Sequence, residues 1–167
     1  MKRSAKILEG LVSNQTLRES SKSWPSTEGP PTKNLLLYED PDYGFAINAV
    51  VRTPGRVGSA HDHGESWTAY GLLDGTEKLE HYKRLDDGKK EGYAEIKLDY
   101  VDEGAAGKVD LVPPFAIHAE VGGPARSVAV IIRSLPIGRR GYSLRFDREK
   151  NTCSHGNGPT QVRLEIT

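Results

Sequence analysis

Three of the five histidines in this sequence have a spacing that suits a metal ion. His61 and His63 lie two residues apart, so on an extended segment both imidazoles project to the same face. His118 follows Pro113 and Pro114, which restrict the backbone that leads into it. Three neutral imidazoles leave a divalent ion with its full charge and with open positions for an anion such as a thiolate or an enolate. The spacing predicts a metal site, and the alternative is three ordinary hydrogen-bonded histidines.

Charged residues near these histidines are candidates for binding or activating such an anion. Arg133 lies on a late apolar segment, and an inward side chain there would bind a carboxylate through charge-assisted hydrogen bonds. Arg52 and Arg56 precede the histidine pair and are further candidates for the same role. Glu65 follows the pair and could orient an imidazole or act as a base. For each of these residues the alternative is a surface charge in solvent.

The elements that must position these side chains are predicted to be strands after a short helical start. Apolar residues at helical spacing predict one amphipathic helix within residues 1–20, and a Pro-, Ser- and Gly-rich connector follows over 21–33. Beyond it, short segments rich in Val, Ile, Leu and Tyr end in Gly, Pro, Asp or Asn, which is typical of strands. The predicted strands are residues 35–38, 45–51, 67–73, 77–85, 93–100, 108–112, 116–121 and 127–133.

The end of the chain predicts two further strands. Residues 142–146 and 161–167 alternate apolar and polar side chains, and the CSHGNGPT sequence between them predicts a turn cluster. Another turn is expected at 102–107, and the polar content of 77–85, which carries His81, indicates an outer or edge strand. Many short strands with frequent turns predict an all-β protein with a closed or sandwiched antiparallel sheet.

Composition narrows the function classes. The chain has 167 residues, with 23 Lys and Arg against 23 Asp and Glu, so it lacks the basic excess expected of a nucleic-acid-binding protein. No apolar run is long enough for a membrane span, and the single cysteine, Cys153, fits a reducing compartment. We expect one cytoplasmic domain over 1–167. It would comprise a helix (1–20), a connector (21–33), a barrel core (34–133) and appended strands (134–167).

Two segments carry a resemblance to a known family. Residues 55–75 read GRVGSAHDHGESWTAYGLLDG, and residues 107–118 read GKVDLVPPFAIH. The order and spacing of their Gly, His and Pro residues resemble the two motifs of the cupin superfamily, and the likeness extends over roughly residues 33–133. It implies a double-stranded β-helix, an antiparallel jelly-roll barrel, with the three histidines as metal ligands. The chain differs from the pattern at Thr68, where a glutamate ligand is usual, and at Phe115, where glycine is usual.

Within that superfamily, residues 33–75 resemble the cysteine dioxygenase and 3-mercaptopropionate dioxygenase group. The HDH sequence and Trp67 carry most of this likeness. These thiol dioxygenases use a three-histidine Fe(II) site, and in some members an arginine on an early strand holds the substrate carboxylate. Lys33 is the nearest cation here. Residues 127–136 contain neither the histidine nor the tyrosine of the Ser-x-His-x-Tyr segment of that family.

The position of Thr68 also predicts which neighbours face the barrel interior. Alternation along the strand places Tyr70 and Leu72 inward with Thr68, and places Trp67 and Ala69 on the opposite face. Tyr70 is therefore a candidate donor near the metal. A buried core tyrosine is the alternative.

These expectations combine into a predicted function. The resemblance implies an Fe(II)-dependent dioxygenase for a small anionic substrate, with thiols among the candidate substrates and with Zn, Ni or Cu as other metals that the ligands accept. Catalytic roles are assigned to Arg133 and Tyr70, and substrate binding to Lys33, Arg52 and Arg133. The alternatives are a cupin isomerase or lyase, a non-thiol dioxygenase, and a non-catalytic small-molecule-binding cupin. The expected partners are the substrate and O2, with no nucleic acid or membrane, and the resemblance allows a homodimer.

Overall fold

The computed structural model describes residues 1–135 and 143–166, and within them two helices precede eleven strands. The helices are α1 (Lys2–Val12) and α2 (Gln15–Ser21). The strands are β1 (Lys33–Glu39), β2 (Ala46–Arg52), β3 (Thr68–Asp74), β4 (Thr76–Arg84), β5 (Ile96–Ala105), β6 (Val109–Val112), β7 (Ile117–Gly122), β8 (Ser127–Arg133), β9 (Ser143–Asp147), β10 (Thr152–Gly156) and β11 (Thr160–Arg163). Each of the eight strands predicted between residues 34 and 133 overlaps one of β1 to β8. No described helix has the length and apolarity to cross a membrane.

Two sheets enclose the interior of the molecule. One has six strands in the order β11-β1-β2-β8-β3-β6, and the other has three in the order β5-β4-β7. Only the β1–β11 pair is parallel among the described strand pairs. Arg52 of β2 joins the two inner faces, because it reaches Glu77 of β4 and Glu120 of β7. The all-β prediction is confirmed.

The outer face of the six-stranded sheet lies under α1. Leu8 and Val12 of this helix are fully buried and pack over Gly71 of β3. A Cβ atom at Gly71 would lie 2.9 Å from each of these side chains, so the close approach requires glycine. The buried apolar residues of this layer, which we call the outer core, are Leu8, Val12, Trp24, Leu35, Ala49, Val51, Ala69, Leu73, Val128 and Val130.

The outer face of the three-stranded sheet lies under the β9–β10 hairpin, where Phe146 packs with Ile117 and Ala119 of β7. Residues 153–156 belong to β10 because they pair with β9, so the predicted turn cluster is wrong for that half. Backbone hydrogen bonds to a partner strand outweigh the turn preference of Ser and Gly in this stretch. The predicted strand ends Tyr142 and Thr167 lie outside the described residues.

The predicted short N-terminal helix is confirmed, but the segment forms two helices rather than the one predicted within residues 1–20. α1 ends at Val12, and Asn14 caps α2 by accepting a hydrogen bond from the backbone N–H of Leu17 at 2.9 Å. An asparagine side chain competes with the helical backbone in this way and therefore favours a helix start over helix continuation.

The three-stranded sheet differs from the prediction in two respects. β4 is its central strand rather than an outer or edge strand, and His81 on it is buried and stacks on Tyr100 with ring centroids 4.3 Å apart. The polar side chains of β4 misled the prediction because several of them are buried against ionic or aromatic partners. β5 continues to Ala105, into the turn predicted at 102–107, because residues 102–105 pair with β4.

Candidate metal centre

Backbone pairing brings the two histidine-bearing segments together. The N–H of His61 donates to the carbonyl of His118, and the N–H of His118 donates to the carbonyl of His61, both at 2.9 Å. His61 thus extends the three-stranded sheet beyond β7, and an antiparallel pair places opposite side chains on the same face. The N–H of Asp62 donates to the carbonyl of Leu144 at 3.0 Å, so β9 holds the same segment from its other side.

The three rings form a compact group. Their ring centroids are 5.1 Å apart for His61 and His63, 4.5 Å for His61 and His118, and 4.7 Å for His63 and His118. One nitrogen from each ring lies within 4.8 Å of the other two. His63 and His118 are buried, whereas His61 is half-buried. We call this group the histidine triad.

The hydrogen bonds of the outer ring nitrogens fix how the triad is presented. Nδ1 of His61 lies 3.0 Å from the carbonyl oxygen of Ser59, and Nδ1 of His118 lies 3.3 Å from that of Ala116. A carbonyl oxygen only accepts, so in the neutral form of either ring Nδ1 carries the proton and Nε2 presents a lone pair. Nε2 of His61 lies 3.2 Å from Nε2 of His63.

This donor set fits a metal ion. Imidazoles whose Nδ1 donates to a carbonyl or hydroxyl oxygen, and whose Nε2 is unprotonated, are the usual histidine ligands of metals. The short contact between the Nε2 atoms of His61 and His63 brings two ligand atoms together, as a shared cation requires. Burial lowers the pKa of His118 to about 3, and it also lowers the pKa of His63 well below its usual value. Both rings are therefore neutral at physiological pH and available as ligands.

Thr68 orients one of these rings. Its Oγ1 lies 2.7 Å from Nδ1 of His63, and Thr68 is fully buried at the start of β3. The side chain at this position thus acts on the metal site through His63. Alternation along β3 places Tyr70 and Leu72 in an apolar cluster on the inner face of the sheet, as predicted. Ala69 lies in the outer core and Trp67 packs against that core, also as predicted.

A cavity of about 160 Å³ opens beside the triad. His61 and His63 line one part of it, and Val50 and Ile131 of the six-stranded sheet supply apolar wall. Four arginines line it against three acidic residues; these charged residues are Arg52, Arg56, Arg133, Arg145, Glu28, Asp62 and Glu120. The charge of the lining residues therefore favours an anionic ligand.

The structure distributes the predicted substrate-binding residues unevenly. Arg52, Arg56 and Arg133 line the cavity. Lys33 is exposed at the start of β1 and does not line it, because alternation turns the next residue, Asn34, toward the interior instead. Glu65 is also exposed, which matches its alternative as a turn carboxylate.

Tyr70 lies deeper in the barrel, and it is not among the described residues that line this cavity. Its hydroxyl donates to Oε2 of Glu77 at 2.6 Å, and Ser127 donates to Oε1 of the same carboxylate at 2.6 Å. Burial raises the pKa of Tyr70 well above its usual value. The hydroxyl therefore stays protonated and holds Glu77 in place.

Sequence reasoning missed a buried ionic cluster below the triad. Arg52 lies between two carboxylates, with Nε 3.7 Å from Oε2 of Glu77 and Nη2 3.4 Å from Oε2 of Glu120. Burial has the largest single effect on Glu120 and would raise its pKa, but the interactions with Arg52, His61, His118 and Arg133 together outweigh burial and lower the pKa overall. Oε1 of Glu120 lies 3.7 Å from Nε2 of His118. The spacing of Glu120 two residues after His118, on the same strand face, was the available signal.

The second missed contribution comes from the end of the chain. Ser143 and Arg145 of β9, together with Gly156 at the end of β10 and residues 157–159 after it, form part of the cavity wall. The N–H of Leu144 also donates to Oδ1 of Asp62 at 2.8 Å, which fixes the loop between the histidine pair. The strands predicted as appendages therefore complete the site.

Phe115 occupies the turn that leads into His118. Its φ of 60° lies in the left-handed region that favours glycine, which explains why glycine is usual at this position. The N–H of Phe115 donates to the carbonyl of Gly64 at 2.8 Å, so the turn connects the two histidine-bearing loops. The Phe115 side chain is 63% exposed, so the strained backbone gains little from burial of the ring.

Several solved structures are similar to this chain. Oxalate oxidase in complex with the substrate analogue glycolate matches with a TM-score of 0.51 and 18% identity, over 68% of this chain and 56% of the oxidase. A protein with a double-stranded β-helix domain from Klebsiella pneumoniae subsp. pneumoniae matches with a TM-score of 0.49 and 14% identity, over 69% of this chain and 80% of that protein. The Schizosaccharomyces pombe Cnp3 cupin domain matches with a TM-score of 0.48 and 11% identity, over 61% and 59% respectively.

At these identities the likeness shows the fold, which is the double-stranded β-helix of cupins, as the sequence predicted. The chain spans just over half of the length of oxalate oxidase. No protein-family model and no curated protein matches the sequence.

Proposed function

We propose that this chain, which has the cupin fold, is a metal-dependent enzyme that oxygenates a small anionic substrate, with thiol acids as the first substrates to test. The convergence of the histidine triad supports the proposal most strongly, because all three rings have Nδ1 against an oxygen and a nitrogen facing the common centre. Fe(II) is the metal we propose, since it supplies the redox chemistry with O2 that an oxygenase needs. Ligand type alone would also accept Zn, Ni or Cu.

The residues of the chain itself would bind and orient the substrate. We assign the substrate carboxylate to Arg133, which lines the cavity at the end of β8 beside the triad. A guanidinium is suited to this because it can form two parallel charge-assisted hydrogen bonds with a carboxylate. Arg52 is held between Glu77 and Glu120, so its charge serves the buried cluster first.

The size of the cavity limits the substrate. About 160 Å³ is close to the volume of an apolar cavity that holds one benzene molecule. We therefore propose a substrate of a few carbon atoms with one anionic group toward the triad and a carboxylate toward Arg133. Apolar contacts from Val50 and Ile131 would exclude water from the carbon atoms of the substrate between its two charged ends.

A second candidate is an isomerase or lyase that uses the same three histidines with a different metal. Glu120 favours it, because a buried carboxylate that lines the cavity next to the triad is placed to accept a proton from a bound substrate. The late strand also supplies Ile131 and Arg133 to the cavity rather than a histidine and a tyrosine. A non-catalytic binding protein is the third candidate, which no specific contact favours.

Metal content and O2 consumption test these candidates. The full-length protein would be purified without oxygen, its native metal measured, and the Fe(II)-loaded form mixed with a panel of thiol acids. Each thiol acid is paired with its hydroxy analogue in an oxygen-electrode assay. We expect one iron per chain and O2 uptake with at least one thiol acid.

Two variants make this test specific. His61→Ala removes a triad ligand that is only half-buried, so it should abolish iron retention and turnover while the protein remains folded. His155→Ala replaces an exposed histidine on β10 and should change neither. If none of the thiol acids supports O2 uptake, the thiol assignment is wrong. If the native metal is not iron and no O2 is consumed, the result favours the isomerase or lyase.

A further inference from the structure

Three neutral histidines alone would leave the full charge of a divalent ion uncompensated at a site with two buried rings. A buried charge is tolerated when an opposite charge lies close to it. The carboxylates near the triad therefore decide how stable a cation is there. Thr68 contributes a hydroxyl and no charge.

Glu120 is placed to supply this charge. It follows His118 by two residues on β7, so its side chain lies on the same face as the ring, and it is 7% exposed. Oε1 of Glu120 faces Nε2 of His118 at 3.7 Å. Because Nδ1 of His118 faces the carbonyl oxygen of Ala116 at 3.3 Å, the neutral ring presents the lone pair of Nε2 toward Glu120. Two electron-rich atoms thus face each other, and a cation next to both would stabilise the contact.

The position of Glu120 is fixed from its other side. Oε2 contacts Nη2 of Arg52 at 3.4 Å, and Arg52 is itself held by Glu77, which accepts hydrogen bonds from Tyr70 and Ser127. The cluster therefore holds the carboxylate rigidly at its distance from the triad. Arg52 and Arg133 both line the cavity, so loss of the Glu120 charge would make the surroundings of the triad more positive.

We propose that Glu120 is a positioning residue that tunes the metal centre from outside the ligand group. Its negative charge raises the affinity of the triad for a divalent ion and favours the higher oxidation state of a bound iron. Glu120 acts through space, since the group of ligand atoms within 4.8 Å of one another contains only the three histidines among the described residues. The inference rests on the proposed metal function and adds a carboxylate to it.

The test compares metal affinity among variants of the full-length protein. Zn(II) dissociation constants are measured by competition with a chromophoric chelator for wild type, Glu120→Gln, Glu120→Asp and Glu28→Gln. Glu28 is the matched control, because it lines the same cavity but contacts Arg56 and Thr53 rather than a ring of the triad. Residues that support metal ligands typically change affinity by about 10- to 100-fold when replaced.

We expect Glu120→Gln to weaken Zn(II) binding by about 10- to 100-fold. Glu120→Asp should stay closer to wild type because it retains the charge, and Glu28→Gln should bind as wild type does. The Fe(III)/Fe(II) potential, measured by dye-coupled titration, should shift upward in Glu120→Gln and far less in Glu120→Asp. A residue with a merely structural role would not shift the potential in this charge-dependent way.

The outcomes separate the inference from the function on which it rests. If wild type binds no metal, or binds it as well after His61→Ala, the proposed metal function is wrong. If wild type binds metal at the triad but Glu120→Gln matches it in affinity and potential, the metal site stands and the tuning role is wrong. Equal losses in Glu120→Gln and Glu120→Asp would assign the effect to shape and overturn the role of charge. Should Glu120→Gln fail to fold, the affinity and potential of Glu120→Asp decide, and values far below wild type overturn the proposal.

Discussion

The two faces of the six-stranded sheet have opposite compositions although they alternate along the same strands. The outer face of β2, β3 and β8 presents apolar residues that pack against α1 and Trp24. The inner face of the same strands presents Arg52, Thr68, Tyr70 and Arg133 among its apolar residues. Period-two alternation thus places a largely apolar core outside the barrel and a polar, ionisable site inside it. Stability and chemistry occupy different sides of one sheet.

This division has an energetic reason. Burying Arg52, Glu77 and Glu120 costs free energy, which their mutual contacts offset only in part. The apolar area buried under α1 contributes a favourable term of roughly 25 cal/mol per Å² and needs no polar partner. Variants of the outer core should therefore change the free energy of unfolding, and variants of the inner face should change metal binding.

The largest effect should come from the outer core. Leu8→Ala removes a fully buried side chain and leaves a cavity over Gly71, so we expect it to lower the free energy of unfolding by about 2 to 5 kcal/mol. Ile7→Ala is the matched control, because Ile7 precedes it on the same helix and is 64% exposed; its change should stay within about 0.5 kcal/mol. Urea unfolding followed by circular dichroism measures both. If the Leu8→Ala protein had wild-type stability, the packing of α1 would not contribute to the stability of the outer core.

The second prediction concerns metal as a stabilising ligand of the inner face. Zn(II) at a free concentration of 100 times its dissociation constant should raise the free energy of unfolding by about 2.7 kcal/mol, because it binds the assembled triad and not the unfolded chain. Thermal unfolding with and without Zn(II), and after chelation, measures this gain. His61→Ala should abolish it, and Leu8→Ala should retain it. If Zn(II) stabilised His61→Ala as much as wild type, the ion would bind outside the triad, and the assignment of metal binding to the inner face would be wrong.

The features that the sequence predicted are those set by neighbouring residues, and the features that it did not predict depend mostly on contacts between distant parts of the chain. Alternating and apolar segments predicted all eight strands between residues 34 and 133, because the periodicity of a strand depends only on residues that are adjacent in the sequence. The histidine motifs predicted which rings would be brought together. Glu120 and the residues after 142 were not connected to the site, because their contacts depend on which strands become neighbours in space. The break between α1 and α2 depends on one local cap at Asn14, which the apolar periodicity of the segment does not reveal.

A third and smaller effect should come from the hydroxyl that orients His63. Thr68→Val has almost the same shape but lacks Oγ1, which leaves Nδ1 of His63 without its partner. We expect metal affinity to fall about 10-fold, at the lower end for a residue that supports a ligand. Zn(II) competition measures it, with Thr68→Ser as the control that keeps the hydroxyl. If Thr68→Val and Thr68→Ser bind alike, the hydrogen bond does not orient the ring.

The smallest effect should come from Phe115, where the backbone of the functional end carries strain. A non-glycine residue at a φ of 60° costs about 1 to 2 kcal/mol, and glycine relieves this cost but loses about 0.5 to 1 kcal/mol of backbone entropy on folding. Phe115→Gly should therefore raise the free energy of unfolding by about 0.5 to 1 kcal/mol, measured by urea unfolding. Phe115→Ala keeps the Cβ atom and removes only an exposed ring, so it isolates the strain and should leave stability nearly unchanged. If the two variants were equally stable, the turn would hold no strain, and the difference between the two faces would then lie in their side chains alone.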